Sequence, residues 1–133
     1  MNGSLAEVRY TANFELNLQS IERFWIENGR IQGYDRLLDE LIDTVLVNLE
    51  RHPRMGRPFM LRQPDSVEAS NRLKRLQSRM TLHTRTAEIR EYILSEYVLL
   101  YAVLGLANQD PELVYLVSIR HYKQLSFDLA RFF

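Results

Sequence analysis

The chain has 133 residues, no cysteine and a formal net charge of zero, with 46% apolar and 26% charged residues. That is enough apolar sequence for one buried core, so a fully disordered chain is excluded, and so are disulfides and thiolate metal sites. No apolar run is long enough to cross a bilayer, and Met1-Asn2-Gly3-Ser4 lacks the basic-then-apolar order of a signal peptide, so a cytoplasmic location without a membrane is expected.

Residues 6–11 alternate as a short strand does. Thr11 follows as a helix N-cap, because its hydroxyl can accept from an exposed backbone N–H. Phe14, Leu18, Ile21 and Trp25 then recur at helical spacing, and Asn28-Gly29 supplies a stop. A second helix is predicted from about Gly33 to Arg51, with a wide apolar stripe of Tyr34, Leu37, Leu38, Leu41, Ile42, Val45, Leu46 and Leu49. The short link between the helices favours an antiparallel hairpin. Pro53 ends the second helix, since it has no N–H and restricts the residue before it. Residues 54–58 read as a turn.

Residues 51–90 carry ten Lys/Arg against three acids, a net of +7, which leaves −7 on the rest of the chain. Such a dipolar chain can attract an acidic partner at one end without general affinity for nucleic acid. The plain alternative is a solvated basic surface. Within this stretch a short, exposed, basic helix is predicted from about Pro64 to Arg79. It belongs to a basic insert at about 60–86 in what otherwise reads as a single domain over 1–133.

The last third changes character. Residues 87–94 alternate, residues 97–104 are nearly all apolar and suit a central strand, and residues 113–119 form another buried strand after a turn at 105–111. Short turns make these three strands an antiparallel meander. Residues from Tyr122 to Phe133 are predicted as a closing helix with Leu125, Leu129 and Phe132 inward. The fold class is therefore α+β: an N-terminal strand, an antiparallel helical hairpin, a three-stranded antiparallel meander and a short C-terminal helix.

This order, together with particular residues, resembles the RelE/ParE toxin superfamily. Val8-Arg9-Tyr10-Thr11 with Phe14, Leu18, Ile21 and Trp25 is similar to that family's opening strand and helix. Leu49 to Gly56 resembles its second helix ending in a Pro-x-x-Gly turn. Arg90-Glu91-Tyr92-Ile93 resembles its Arg-x-Tyr strand, and Ile119-Arg120-His121-Tyr122-Lys123 its ending Ile-x-His-x-Arg/Lys. The insert at about 60–86 departs from compact members, which have a shorter link there.

The resemblance implies a toxin of a type II toxin–antitoxin, or plasmid stabilisation, system, neutralised by a cognate antitoxin protein. ParE-like members are thought to inhibit DNA gyrase, whereas RelE-like members cut mRNA on the ribosome. RNA cleavage needs a base, cations for the phosphorane charge and a proton for the leaving oxygen. Arg90, Arg120, His121 and Lys123 are the catalytic candidates under that reading, with Tyr122 able to stack on a base. The plain alternatives are a backbone hydrogen bond for His121 and ion pairs for Arg90 and Arg120 with Glu88, Glu91 or Asp128.

Two features favour the ParE-like reading, in which the chain is no enzyme. The tail carries Phe127, Phe132 and Phe133 where nuclease relatives offer a tyrosine or histidine, and phenylalanine cannot transfer a proton. The zero net charge is unlike the strongly positive surface that a dense phosphate target demands. A non-toxic module that only holds an antitoxin-like partner is a third reading. Arg72, Lys74, Arg75, Arg79 and Tyr122 are expected to contact the antitoxin or the target, with the basic stretch facing an acidic antitoxin tail. His52 and His83 stand alone, with no metal-ligand spacing, and there is no Gly-rich phosphate loop, so neither a metal nor a cofactor is expected.

Overall fold

A computed structural model of the chain describes residues 5–59, 87–105 and 112–123. The elements in order are β1 (Glu7–Tyr10), α1 (Ala12–Glu27), α2 (Gln32–Glu40), a π-helical turn (Leu41–Val45), α3 (Leu46–Arg51), β2 (Arg57–Pro58), β3 (Ala87–Ile93), β4 (Tyr97–Leu104) and β5 (Leu113–His121). The strands form one five-stranded sheet in the order β1-β5-β4-β3-β2. The meander β3-β4-β5 is antiparallel as expected, and β1 joins it in parallel beside β5. The expected basic helix at 64–79 and the closing helix at 122–133 lie outside the described residues, save for Tyr122 and Lys123, which form a turn.

Each helix end follows its local chemistry. Thr11 caps α1 by accepting from the Phe14 N–H at 3.1 Å, as its position before the apolar repeat predicts. Asn28 is the C-cap, and Gly29 follows with φ of +68°, a conformation that a side chain resists.

The second predicted helix is continuous in the chain but not uniform. Leu37, Leu41, Val45 and Leu49 are all buried, and they recur every four residues. On a regular α-helix each such step overshoots a full turn by about 40°, so the line would drift off the sheet. The π-helical turn at Leu41–Val45 takes more residues per turn and brings the four back into line. The same local unwinding turns Ile42 outward. Ile42 is 59% exposed, which corrects the expectation that it belongs to the buried stripe.

The core has two parts. Phe14, Leu37, Leu41, Val45 and Leu49 pack with Leu99, Tyr101, Val103, Val114, Leu116 and Ile119, which is the helical layer against one face of the sheet. Ile89, Leu100, Ala102, Leu104 and Val117 form a second cluster. Every residue of β4 is buried, because alternate side chains enter different clusters.

The segment read as a plain turn at 54–58 is more structured than that. Arg57 and Pro58 pair with Glu91 and Arg90, adding a short edge strand. Proline has no N–H to donate, so it suits an edge. The turn before it is latched by Tyr101, which is fully buried. The Tyr101 hydroxyl donates to the Pro53 carbonyl at 2.8 Å and accepts the Gly56 N–H at 2.9 Å. Gly56 is required by space here: a Cβ would lie 2.4 Å from the Glu91 carbonyl oxygen and 2.6 Å from the Tyr101 hydroxyl. Arg54, beside it, bonds Glu88 at 3.0 Å and also Glu112, tying the turn to β3 and to the start of β5.

Candidate functional site

The described surface holds an open groove of about 860 Å³ between the C-terminal half of α1 and the end of β5. Its walls include Asn17, Ile21, Phe24 and Trp25 on α1, Arg30 after it, Tyr97 at the start of β4, and Ile119, Arg120, His121 and Lys123 at the end of β5.

β5 is bulged just before the residues that line the groove. Leu100 faces Ser118 while Tyr101 faces Leu116, so Val117 is an extra residue in the strand. A bulge breaks the hydrogen-bond ladder, and α1 replaces the lost bonds. Asn13 Nδ2 donates to the Val117 carbonyl at 2.9 Å, and the Thr11 hydroxyl lies 3.1 Å from the same oxygen. Asn17 Oδ1 accepts from the Ile119 N–H at 3.0 Å and the Ser118 hydroxyl at 2.7 Å. Thr11, Asn13, Asn17 and Ser118 are all buried. A buried, satisfied network of this kind fixes geometry, because each member left without its partner would carry a desolvation cost. It holds the last residues of β5 at a set distance from α1.

Beyond this clamp the groove is aromatic. The indole Nε1–H of Trp25 donates to the Tyr97 hydroxyl at 3.0 Å. The Trp25 ring lies against Gly33, where a Cβ would sit 2.4 Å from the indole carbons, so the ring needs glycine under it. Tyr97 meets His121 edge-on at 5.5 Å, and His121 lies tilted against Tyr122 at 4.6 Å. Burial raises the Tyr97 phenol above its ordinary value, against the lowering effect of the Trp25 hydrogen bond. The Lys123 ammonium stands 5.8 Å from the centre of the Tyr122 ring, within cation–π range.

The sequence candidates divide between two ends of the fold. Arg120, His121 and Lys123 line the groove, whereas Tyr122, between them in sequence, is not part of its lining and is 56% exposed. Arg90 is elsewhere. Its Nη1 donates to the Gly56 carbonyl at 2.6 Å and its Nε to Glu88 at 3.4 Å, so it belongs to the latched turn. Its ion pair with Glu88 is the plain alternative foreseen for it. His121 Nδ1 accepts the Lys123 backbone N–H at 3.2 Å, the backbone hydrogen bond that was the plain alternative for it. Arg120 Nη1 is within 3.4 Å of the carbonyls of His121 and Tyr122. Arg72, Lys74, Arg75 and Arg79 lie outside the described residues.

Sequence reasoning missed Asn13, Asn17, Trp25 as a groove residue, Arg30 and Tyr97. Only Asn13 and Asn17 left a signal: two asparagines four apart on the face of α1 that carries Phe14.

Among the described residues no three His, Asp or Glu side chains gather as metal ligands would, and no helix is long and apolar enough to cross a membrane. A family model described as the ParE toxin of the type II toxin–antitoxin system parDE matches residues 8–125. No curated protein matches the chain.

Proposed function

The chain belongs to the ParE toxin family of type II toxin–antitoxin systems, and from that premise we propose that it acts by binding a protein target, DNA gyrase, and not by cutting RNA. The observation that carries this reading is the division of the catalytic candidates. Arg90 is engaged with Gly56 and Glu88 in the latched turn, while Arg120, His121 and Lys123 sit at the groove. General acid–base cleavage needs its groups within hydrogen-bond reach of one phosphodiester. The neutral charge and the phenylalanine-rich tail point the same way.

A protein antitoxin neutralises the toxin in this reading. The basic stretch with Arg72, Lys74, Arg75 and Arg79 complements an acidic antitoxin tail. Replacing those four by Glu is expected to weaken the toxin–antitoxin complex, and unchanged affinity in a titration would remove that part of the proposal.

The deciding experiment compares two assays with the purified chain. Inhibition of gyrase supercoiling with translation unaffected supports the proposal. Arrested translation with normal supercoiling rejects it in favour of a ribosome-dependent endoribonuclease built on Arg120, His121 and Lys123. Harmless expression without any antitoxin leaves a non-toxic antitoxin-binding module.

A further inference from the structure

The sheet has two faces, and only one of them carries a described layer. Phe14, Leu37, Leu41, Val45 and Leu49 of the helices pack on the face that holds Leu99, Tyr101 and Val103. The opposite face holds Leu100, Ala102, Leu104 and Val117, and among the described residues no helix contributes to that cluster. Yet Leu100, Ala102 and Val117 are 0% exposed and Leu104 4%. Neighbours in a sheet shield the flanks of a side chain but not its outer end, so burial this complete needs a second layer over the face.

We infer that the basic stretch 60–86 is that layer: it docks on the second face of the sheet and turns its arginines outward. Both ends of the stretch point there. Phe59 and Ala87, the described residues that flank it, each pack against the Leu100 cluster. They stand close together, because Pro58 pairs with Arg90 and the Phe59 N–H bonds the Ile89 carbonyl at 2.9 Å. The stretch therefore leaves and rejoins the sheet at one place, on the face that needs a cover. The other long segment, 124–133, starts beside Lys123, which lines the groove next to α1. The sequence of the stretch suits the task. Leu73, Leu76 and Met80 recur at helical spacing, and Arg72, Arg75 and Arg79 each precede one of them, about 100° round a helix. An apolar side on the sheet thus leaves the arginines at the flank and outside. The helical layer on the other face is acidic, with eight acids against four Arg over residues 12–51. The charge asymmetry along the chain becomes one across the sheet, and the basic side is where an acidic segment fits. That last step rests on the antitoxin reading, which the fourfold charge reversal tests. The cover itself does not depend on it.

The chain has no cysteine, so an introduced thiol reports on its own site. Ala102→Cys places one on the second face, and Val103→Cys places one under the helices as a control. Each is made in the full chain, alone and with Leu73→Asp plus Leu76→Asp, and its rate with a thiol reagent is measured. The double Asp change is expected to speed Ala102→Cys at least about tenfold by lowering the cost of local opening, and to leave Val103→Cys protected. Leu125→Asp plus Leu129→Asp is expected to leave both protected. The inference is overturned if Ala102→Cys stays protected beside the Asp pair in the stretch, or if the tail pair exposes it instead, which would make 124–133 the cover. Should both thiols react because the Asp variant has unfolded, the chain without Asp decides. There a short flexible bismaleimide is expected to join Leu76→Cys to Leu113→Cys, on the second face, and not to Ile42→Cys, which is exposed on the hairpin. A link to Ile42→Cys, or a link to neither, overturns the inference. Gyrase inhibition and antitoxin affinity are read in their own assays, so failure here leaves those readings standing.

Discussion

Tyr101→Phe removes one oxygen from the centre of the fold and little else. The ring keeps its volume and its place among Leu99, Val103 and Leu116, so the change is almost purely polar. Two backbone groups lose a partner, the Gly56 N–H at 2.9 Å and the Pro53 carbonyl at 2.8 Å. Tyr101 is 0% exposed and Gly56 is buried, so water has no easy path to replace the hydroxyl. A buried group left without its hydrogen bond costs about 1–3 kcal/mol. The carbonyl is partly compensated by its second lone pair, so the pair should cost roughly 2–4 kcal/mol. Against a typical total of about 5–15 kcal/mol this is a large fraction. The assay is equilibrium unfolding in urea followed by Trp25 fluorescence. The midpoint should fall while the slope stays constant, because the surface exposed on unfolding is the same. A loss below about 0.5 kcal/mol would refute the latch, since that is the range of an ordinary surface substitution.

Asn17→Leu should cost about 2–4 kcal/mol, because the Ile119 N–H and the Ser118 hydroxyl lose their acceptor; the check is a urea midpoint, and Asn17→Asp, which restores an acceptor at the same place, should recover part of the hydrogen bonding. Ile42→Glu should change stability by less than about 0.5 kcal/mol, whereas Leu41→Ala should cost about 2–5 kcal/mol; equal effects at the two positions would deny the π-helical turn. Burial raises the phenols of Tyr34, Tyr97 and Tyr101 in the folded chain. The unfolded state therefore ionises first, so the stability these groups contribute is complete below pH about 10 and is lost as pH rises through the folded values. Denaturant midpoints measured from pH 8 to 11 should fall at the alkaline end, and less steeply in Tyr101→Phe.

What the sequence made legible is local. Strands β3, β4 and β5 are visible because alternation or a continuous apolar run is written into adjacent residues. The Thr11 cap and the Gly29 stop depend on one side chain and one backbone angle. The π-helical turn hides because its cause is alignment with a sheet made by residues far along the chain, so Leu41, Ile42, Val45 and Leu46 all look equally apolar. The edge strand β2 hides because two residues carry no period and their partners lie more than thirty positions away, at Arg90 and Glu91. Asn13 and Asn17 share the face of α1 that carries Phe14, but their partners, Val117, Ser118 and Ile119, lie about a hundred positions away and give no local sign of the pairing. The groove is the least visible feature, because its residues come from α1, the loop after it, β4 and β5 and share no spacing.

The residues that carry the family resemblance separate into two roles once their contacts are known. Pro53 and Gly56 are both held by the Tyr101 hydroxyl, and Arg90 donates to the same glycine's carbonyl. Tyr92 accepts from Asn48 Nδ2 at 2.9 Å and so fastens α3 to β3. The Pro-x-x-Gly turn and the Arg-x-Tyr strand are thus one fastening between the helical hairpin and the sheet, at the end where β2 and β3 pair. The ending at Ile119 to Lys123 does something different. Ile119 is in the core, β5 ends at His121, and Arg120, His121 and Lys123 line the groove beside α1. A substitution in the first group should reach activity only through stability, with activity per folded molecule retained. A substitution at Tyr122 or Lys123 should leave the unfolding midpoint in place and act on binding alone. Comparing the two groups by midpoint and by activity per folded molecule tests that division, and the division fails if Arg90→Ala abolishes activity in protein that is still folded.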